Sequence, residues 1–234
     1  MLSDVMEDYV KAIYVLQSEE GPPVSTSAIA GYLDKTPPSV TDMLGKLADR
    51  GLVDREPYKG VELTPEGEAV ALEVVRHHRL LEAFLAEQLD YDWSEVHDEA
   101  DALEHHISEE LERRMAAVLG NPDVDPHGDP IPSADLEPIE ETGGARLADH
   151  AVGDRLVVTR VSDRDDEELE YLADAGITPG TTIEIIDVAP FGLVTVRTPG
   201  GEQGLPAEIA RSIRVEEAPE SGENDDRPRD VDAI

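Results

Sequence analysis

The sequence predicts a mainly α-helical protein with a small β domain near its C-terminal end. In several segments before residue 120, apolar residues recur at intervals of three and four, which is the spacing of amphipathic helices. Between 146 and 216 this pattern gives way to short apolar runs separated by glycine and proline turns, which is typical of strands in a small β-barrel. Residues 120–145 are rich in proline and glycine and are interpreted as a linker. The predicted domains are 1–64, 65–140 and 146–216, followed by an acidic, polar tail at 217–234 for which we expect disorder.

The N-terminal part contains signals for three helices. Ser3 can cap a first helix whose apolar positions follow helical spacing and which ends near Gly21. A short helix is expected at about 25–33. Thr36 followed by Pro37 marks the start of a third helix, because threonine is a good N-cap and proline suits the first helical turn.

Two short strands, at 52–56 and 61–64, follow the third helix around a turn at 57–60. Three helices followed by a hairpin predict a winged helix-turn-helix, whose second motif helix lies in the DNA major groove. The predicted DNA-contacting residues are Lys35, Thr36, Pro38, Ser39, Asp42, Lys46 and Lys59. A helical packing module that never meets DNA is the alternative, but all four lysines of the chain lie in 1–64, which favours DNA binding.

Two longer helices are predicted in the second domain. Thr64 caps the first of them, which reaches about Leu89, and Ser94 caps a second that runs to Leu119. Apolar residues of the second helix form a stripe suited to a helix–helix or dimer interface, which predicts a helical dimerisation domain. The stripe consists of Val96, Ala100, Leu103, Ile107, Leu111, Met115 and Val118.

Histidines and carboxylates in these helices have the spacing of a metal site. His78 and Glu82 are four residues apart, as are His97 and Asp101, and Asp101 and His105. On a helix such pairs lie on one face, one turn apart. Imidazole and carboxylate ligands without sulfur suit Mn²⁺, Fe²⁺ or Zn²⁺. For any single pair a solvated helix face or a hydrogen-bonded core histidine is the alternative, but several pairs in two helices favour a metal site.

The composition is strongly acidic, with 54 acidic and 19 basic residues and a net charge of −35. An acidic surface poor in lysine is expected of a protein that works in molar salt, where the Debye length is only ~3 Å. An acidic interaction protein of an ordinary cytosol is the alternative. The absence of cysteine excludes disulfides and thiolate ligands. No apolar run approaches the ~20 residues of a membrane span, and no signal peptide is recognisable, so we expect a soluble, cytoplasmic protein.

Six segments of the chain carry a family resemblance, at 6–9, 63–67, 78–80, 96–100, 103–105 and 126–132. Through them the chain resembles the DtxR/MntR family of metal-dependent transcriptional repressors over residues 1–216. The resemblance implies a homodimer that binds a palindromic operator and represses manganese or iron uptake genes. It also implies that the third domain is an SH3-like (FeoA-like) barrel.

The same resemblance implies two metal sites per chain. The implied primary site consists of Asp8, Asp101, Glu104 and His105. The implied ancillary site consists of His78, Glu82 and His97, and the barrel adds two ligands best matched by Asp165 and Glu168. Asp8 and Asp101 stand where iron-responsive relatives have methionine and cysteine, and these hard oxygen ligands favour Mn²⁺, with Fe²⁺ close behind. The metal is expected to bridge the winged helix and the dimerisation helix.

Two other functions agree with parts of this pattern. Clustered histidines and carboxylates on helices also build dinuclear metalloenzymes, but the sequence has no glycine-rich phosphate loop and no nucleophile constellation. An enzyme would also leave the winged helix unexplained, so we predict that the protein is not an enzyme. A DNA-binding regulator that is not controlled by metal would require the ligand set to be accidental.

Overall fold

Three separate hydrophobic cores organise the chain in a computed structural model that describes residues 2–56, 59–139 and 144–219. The first core lies among the N-terminal helices and hairpin, the second among the three central helices, and the third inside a C-terminal sheet. The predicted turn at Pro57 and Tyr58 and the tail beyond residue 219 lie outside the described residues. Among the described residues, no helix is long and apolar enough to cross a membrane.

The N-terminal domain has the predicted three helices and hairpin. Its elements are α1 (Asp4–Glu20), α2 (Thr26–Tyr32), α3 (Pro37–Ala48), β1 (Val53–Glu56) and β2 (Gly60–Leu63). The strands pair antiparallel, with Val53 opposite Leu63. Ser25 caps α2 by accepting the backbone N–H of Ala28. Ser3 and Thr36 occupy the expected N-cap positions, but within the described chain neither side chain forms a hydrogen bond with its helix.

The central region contains three helices, α4 (Pro65–Leu89), α5 (Val96–Leu103) and α6 (Glu109–Val118). Thr64 caps α4 as predicted, because its hydroxyl accepts the backbone N–H of Gly67. The prediction of one continuous helix from Ser94 to Leu119 is wrong. The chain leaves the helical path after α5, and Ser108 starts a new helix by accepting the N–H of Leu111. The apolar stripe therefore continues across a break in the helix, because Ser108 lies within the stripe and caps a new helix.

The C-terminal domain is a small antiparallel sheet. Its elements are β3 (Ala145–Arg146), β4 (Arg155–Val161), α7 (Asp166–Asp174), β5 (Thr182–Val188), β6 (Val194–Thr198), β7 (Gly201–Leu205), α8 (Ala207–Ser212) and β8 (Ile213–Glu217). The strand order is β3-β8-β4-β5-β6-β7, and neighbouring strands are antiparallel. Within the described ranges the edge strands β3 and β7 do not pair with each other, so the sheet is open where a closed barrel was expected.

Residues 121–133, which belong to the segment interpreted as a linker, form a loop that packs against α4 and β4. Asp125 accepts the backbone N–H groups of His127 and Asp129, which closes a tight loop. The backbone N–H of Val161 on β4 donates to the carbonyl of His127 at 2.9 Å. Gly128 has φ of +88° and lies so close to β4 that an added Cβ would be 2.0 Å from a carbonyl oxygen. This loop fixes the sheet domain next to α4.

Candidate metal centre

The candidate ligands come from five places in the chain that lie close together in the fold. Asp8 lies on α1, His78 and Glu82 lie one turn apart on α4, and His97 lies on the first turn of α5. Glu104 and His105 lie in the irregular turn that follows α5. A further carboxylate, Asp163, lies in the connection between β4 and α7. The meeting point is therefore shared by all three parts of the fold.

We call the first group of ligands the buried cluster. It consists of His78, Glu82, His97 and Asp163, each of which offers one ligand atom within 4.8 Å of the others. Glu82 Oε1 lies 3.0 Å from His78 Nε2 and 3.2 Å from His97 Nδ1. Asp163 Oδ2 lies 3.3 Å from His97 Nδ1. The structure thus brings together the three residues of the predicted ancillary site and adds a fourth.

The second group, the α1–α5 cluster, consists of Asp8, Glu104 and His105. His105 Nε2 lies 2.8 Å from Asp8 Oδ1 and 3.4 Å from Glu104 Oε1. The other ring nitrogen of His105 lies 2.9 Å from Glu7 Oε2, which orients the imidazole. This group contains three of the four residues predicted for the primary site and joins the N-terminal domain to the central helices.

Asp101, the fourth residue of the predicted primary site, lies in a different group with His78 and Glu104. Its Oδ1 is 3.1 Å from His78 Nδ1, and Glu104 Oε2 is 2.7 Å from the same nitrogen. Glu104 therefore belongs to two groups, since one of its oxygens faces His105 and the other faces His78. The ammonium of Lys11 lies among the three residues of this group.

Asp165 and Glu168, the predicted ligands from the third domain, have other roles. Asp165 accepts the backbone N–H of Glu168 at 3.1 Å and so caps α7. The carboxylate of Glu168 accepts the hydroxyl of Ser212. Neither residue belongs to a ligand group in the described part of the chain, whereas Asp163 lies in the buried cluster. The spacing of an acidic N-cap and a glutamate three residues later indicates a helix start, which was the available signal.

The charges of the buried cluster balance one another. Burial lowers the pKa of His78, but the charge of Glu82 raises it well above the usual histidine value. Burial also lowers the pKa of His97, but hydrogen bonds to Asp163 and Glu82 raise this pKa to about 10. Burial raises the pKa of Glu82, but His78 and the other neighbouring histidines hold it well below its ordinary value. In the metal-free protein, protons on these imidazoles supply the positive charge.

The donor set fits a divalent transition-metal ion. Nitrogen and oxygen ligands without sulfur are suited to Mn²⁺, Fe²⁺ or Zn²⁺. Glu82 Oε2 is buried and has no hydrogen-bond partner among the described residues. Since buried carboxylate oxygens are normally paired, this unpaired oxygen beside the cluster is an acceptor that a cation would satisfy.

A second layer of residues holds α4, the 121–133 loop and β4 together around the buried cluster. His127 is fully buried, its Nε2 lies 2.9 Å from the carbonyl oxygen of Trp93, and its Nδ1 lies 3.7 Å from Glu82 Oε1. Asp129 pairs with Arg160 on β4 at 2.7 Å and with an arginine of α4 at 2.9 Å. His127 therefore lies beside Glu82, in a loop whose Asp129 ties α4 to β4.

The predicted DNA-contacting residues all lie at the surface of the N-terminal domain. α3 buries Val40, Leu44 and Leu47 against the other helices and turns its first residues to solvent. The exposed residues are Lys35, Thr36, Pro38, Ser39, Asp42, Lys46 and Lys59. In a helix-turn-helix, the corresponding surface is the one that meets DNA.

Comparison with protein-family models gives three matches that follow one another along the chain. Residues 1–61 match the N-terminal DNA-binding domain of iron-dependent repressors. Residues 64–133 match the metal-binding and dimerisation domain of iron-dependent repressors. Residues 145–217 match the FeoA domain.

Characterised relatives align over almost their whole length. The iron-dependent repressor IdeR of Mycobacterium tuberculosis (strain ATCC 25618 / H37Rv) is 35% identical over 227 residues, covering 92% of this chain and 98% of the relative. The diphtheria toxin repressor of Corynebacterium efficiens is 36% identical over 224 residues, covering 92% and 96%.

Solved structures share the fold. A manganese-dependent transcriptional repressor in complex with manganese has a TM-score of 0.84 and 37% identity, covering 91% of this chain and all of that one. ScaR with bound Cd²⁺ has a TM-score of 0.79 and 32% identity, covering 91% and 99%.

Proposed function

This chain belongs to the family of iron-dependent repressors, and from that membership we infer that it is a metal-dependent, DNA-binding transcriptional repressor and not an enzyme. The observation that carries this inference is the α1–α5 cluster, in which Asp8 of the DNA-binding domain lies 2.8 Å from His105 of the central region. A cation held there acts on the position of the DNA-binding domain.

The proposed corepressor is Mn²⁺ or Fe²⁺. Relatives of this chain include iron-dependent and manganese-dependent repressors, and its ligands are carboxylates and imidazoles. We assign one ion to Asp8, Glu104 and His105, and one to His78, Glu82, His97 and Asp163. The carboxylates at the first of these sites favour the harder ion, Mn²⁺.

The control of DNA binding follows from where the ligands are attached. Asp8 moves with α1 and therefore with α3, whereas Glu104 and His105 are anchored at the end of α5. When these residues share a cation, the orientation of α3 relative to the central helices is fixed. The metal contributes binding energy that differs between the fixed and the free arrangement, which is the requirement for an effector.

We further propose that a homodimer presents two copies of α3 to successive turns of a palindromic operator, roughly 34 Å apart. Leu111 and Val118 on α6 are 45% and 60% exposed, which supports a dimer contact along the predicted apolar stripe. Repression of manganese or iron uptake genes in the cytoplasm is the role we assign to this dimer. The match of residues 145–217 to the FeoA domain supports an SH3-like description of the sheet domain.

Metal-dependent operator binding tests the proposal. Chelated protein is titrated with Mn²⁺ and with Fe²⁺, and its affinity for operator or genomic DNA fragments is measured by fluorescence anisotropy. We expect either ion to switch on binding by the native protein but not by the Asp8→Ala/His105→Ala variant. Asp98→Ala, which removes an exposed carboxylate from α5, is the matched control and should respond normally. DNA binding that is identical with and without metal would refute the proposal.

A further inference from the structure

Lys11 places a positive charge inside the group formed by His78, Asp101 and Glu104. It projects from α1, and its side chain is only 13% exposed. Its ammonium donates to Glu104 Oε2 at 2.7 Å and to Asp101 Oδ1 at 2.8 Å, and lies 3.0 Å from His78 Nδ1. One lysine thus contacts the three groups that form this third set of candidate metal ligands.

These three ligand atoms have the composition and size of a coordination site. They are one imidazole nitrogen and two carboxylate oxygens, and all lie within 4.8 Å of one another. A dication among them would lie directly beside the Lys11 ammonium. Because two cations at such a distance repel strongly in a partly buried site, the lysine and an additional ion exclude each other.

Lys11 is paired with two carboxylates in this position, those of Asp101 and Glu104. A buried ammonium is stable only when it is paired, and both of its carboxylate partners are supplied by the chain that follows α4.

We propose that Lys11 is a built-in cation that replaces a metal ion in the His78, Asp101 and Glu104 group, so that each chain binds two dications and not three. This inference rests on the proposed function, in which the α1–α5 cluster and the buried cluster bind metal. Because Lys11 pairs with Glu104 Oε2, Glu104 Oε1 remains available to the α1–α5 cluster. It also leaves His78 Nε2 directed towards Glu82 in the buried cluster.

The same contacts make Lys11 a metal-independent link between domains. Its backbone belongs to α1, whereas Asp101 and Glu104 belong to α5 and the turn that follows it. Two positive charges therefore link the N-terminal domain to the central helices. One is the permanent ammonium of Lys11, and the other is the exchangeable cation proposed at the neighbouring Asp8.

Metal stoichiometry tests the proposal. The native protein and the Lys11→Met, Lys11→Glu and Lys11→Arg variants are chelated and equilibrated with Mn²⁺, and bound manganese per chain is measured by equilibrium dialysis and mass spectrometry. We expect two ions for the native protein and for Lys11→Arg, which keeps the charge. We expect three for Lys11→Met and Lys11→Glu, because both free the third group.

The possible failures are distinguishable. Three ions in the native protein, or two in a Lys11→Met protein with native circular dichroism, would overturn the role of Lys11. A native protein that binds no manganese would overturn the proposed function instead. Should Lys11→Met not fold, anomalous diffraction from native crystals grown with Mn²⁺ decides the question. Two sites with Lys11 still paired to Asp101 support the proposal, and an ion among His78, Asp101 and Glu104 overturns it.

Discussion

At the residue scale, the metal centre depends on side chains that each serve two neighbours. Glu104 directs one oxygen to His105 and the other to His78, and His78 directs its second nitrogen to Glu82. Asp8 and Asp163, the two residues at the ends of this array, come from different domains. A change at one position therefore alters the charge balance of the next.

Asp163 is predicted to be a metal ligand of the buried cluster. Asp163→Asn removes one anionic oxygen that lies 3.3 Å from His97. We expect the affinity for Mn²⁺ at this cluster to fall by at least about 10- to 100-fold, because that range is seen when only a group that supports a ligand is lost. Isothermal titration calorimetry measures the loss.

The matched control is Asp165→Asn, two residues away. Its side chain only caps α7, and asparagine is as good an N-cap as aspartate. Its manganese affinity should equal that of the native protein. An equal loss of affinity in the two variants would contradict the assignment of Asp163.

The affinity of the buried cluster for metal is predicted to rise with pH. The pKa of His97 is raised from the usual 6.5 to about 10 in the metal-free fold, so at neutral pH a metal must displace a proton. Each displaced proton increases the binding constant by about tenfold per pH unit below that pKa. For the same reason, this histidine stabilises the metal-free fold fully below pH 6.5 and loses that contribution as the pH rises towards 10.

Mn²⁺ titrations at several pH values between 6.5 and 8.5 measure this effect. Calorimetry in buffers of different ionisation enthalpy counts the protons released. A binding constant that does not change over this range would contradict proton displacement.

At the element scale, the break between α5 and α6 gives each segment a separate role. α5 and the turn after it carry ligands, and the carbonyl oxygen of Glu104 in that turn lies 3.1 Å from His77 Nδ1 of α4. α6 buries Met115 and Ala116 against the central core and leaves Leu111 exposed. In one continuous helix, the direction of the ligands on α5 would also fix the direction of the exposed residues on α6.

Leu111 is predicted to lie in the dimer contact. Burial of a leucine side chain contributes about 1.5–3 kcal/mol, and Leu111→Lys removes this contribution once in each protomer. The change also brings two positive charges into a symmetric interface. The dimer dissociation constant, measured by sedimentation velocity, should rise by at least about tenfold.

Phe191→Lys makes the same kind of change at the most exposed aromatic residue of the sheet domain, which is 83% exposed. It should leave the dimer intact. If only the Phe191 variant dissociates, or if neither does, the dimer contact lies elsewhere than α6.

At the scale of the whole molecule, charge is distributed unevenly. The net charge is −35, yet every lysine lies in the first 64 residues, where the DNA-contacting surface is. Arg160 and the 121–133 loop attach the sheet domain to the central helices.

Operator affinity is predicted to depend weakly on salt. Ordinary phosphate contacts lower log K with a slope of about −0.9 per contact, but acidic segments that take up cations on binding oppose this effect. Affinity measured with metal present from about 0.5 to 3 M KCl should therefore stay nearly level. Neutralising exposed acids on α5 and just before it, with Glu95→Gln and Asp98→Asn, should steepen the dependence. A steep decline in the native protein would contradict adaptation to high salt.

The helices of the N-terminal domain, α4 and several strands could be predicted from the sequence, because periodicity and caps such as Thr64 are local properties. The sequence also indicated the chemistry of the site, since histidine and carboxylate pairs one turn apart are visible in the chain. That Asp163 joins the buried cluster and that Lys11 lies between Asp101 and Glu104 became visible in the folded chain alone. These groups are brought within a few ångströms by the packing of α1, α4 and the β4–α7 connection, and residue spacing carries no information about how separate elements pack.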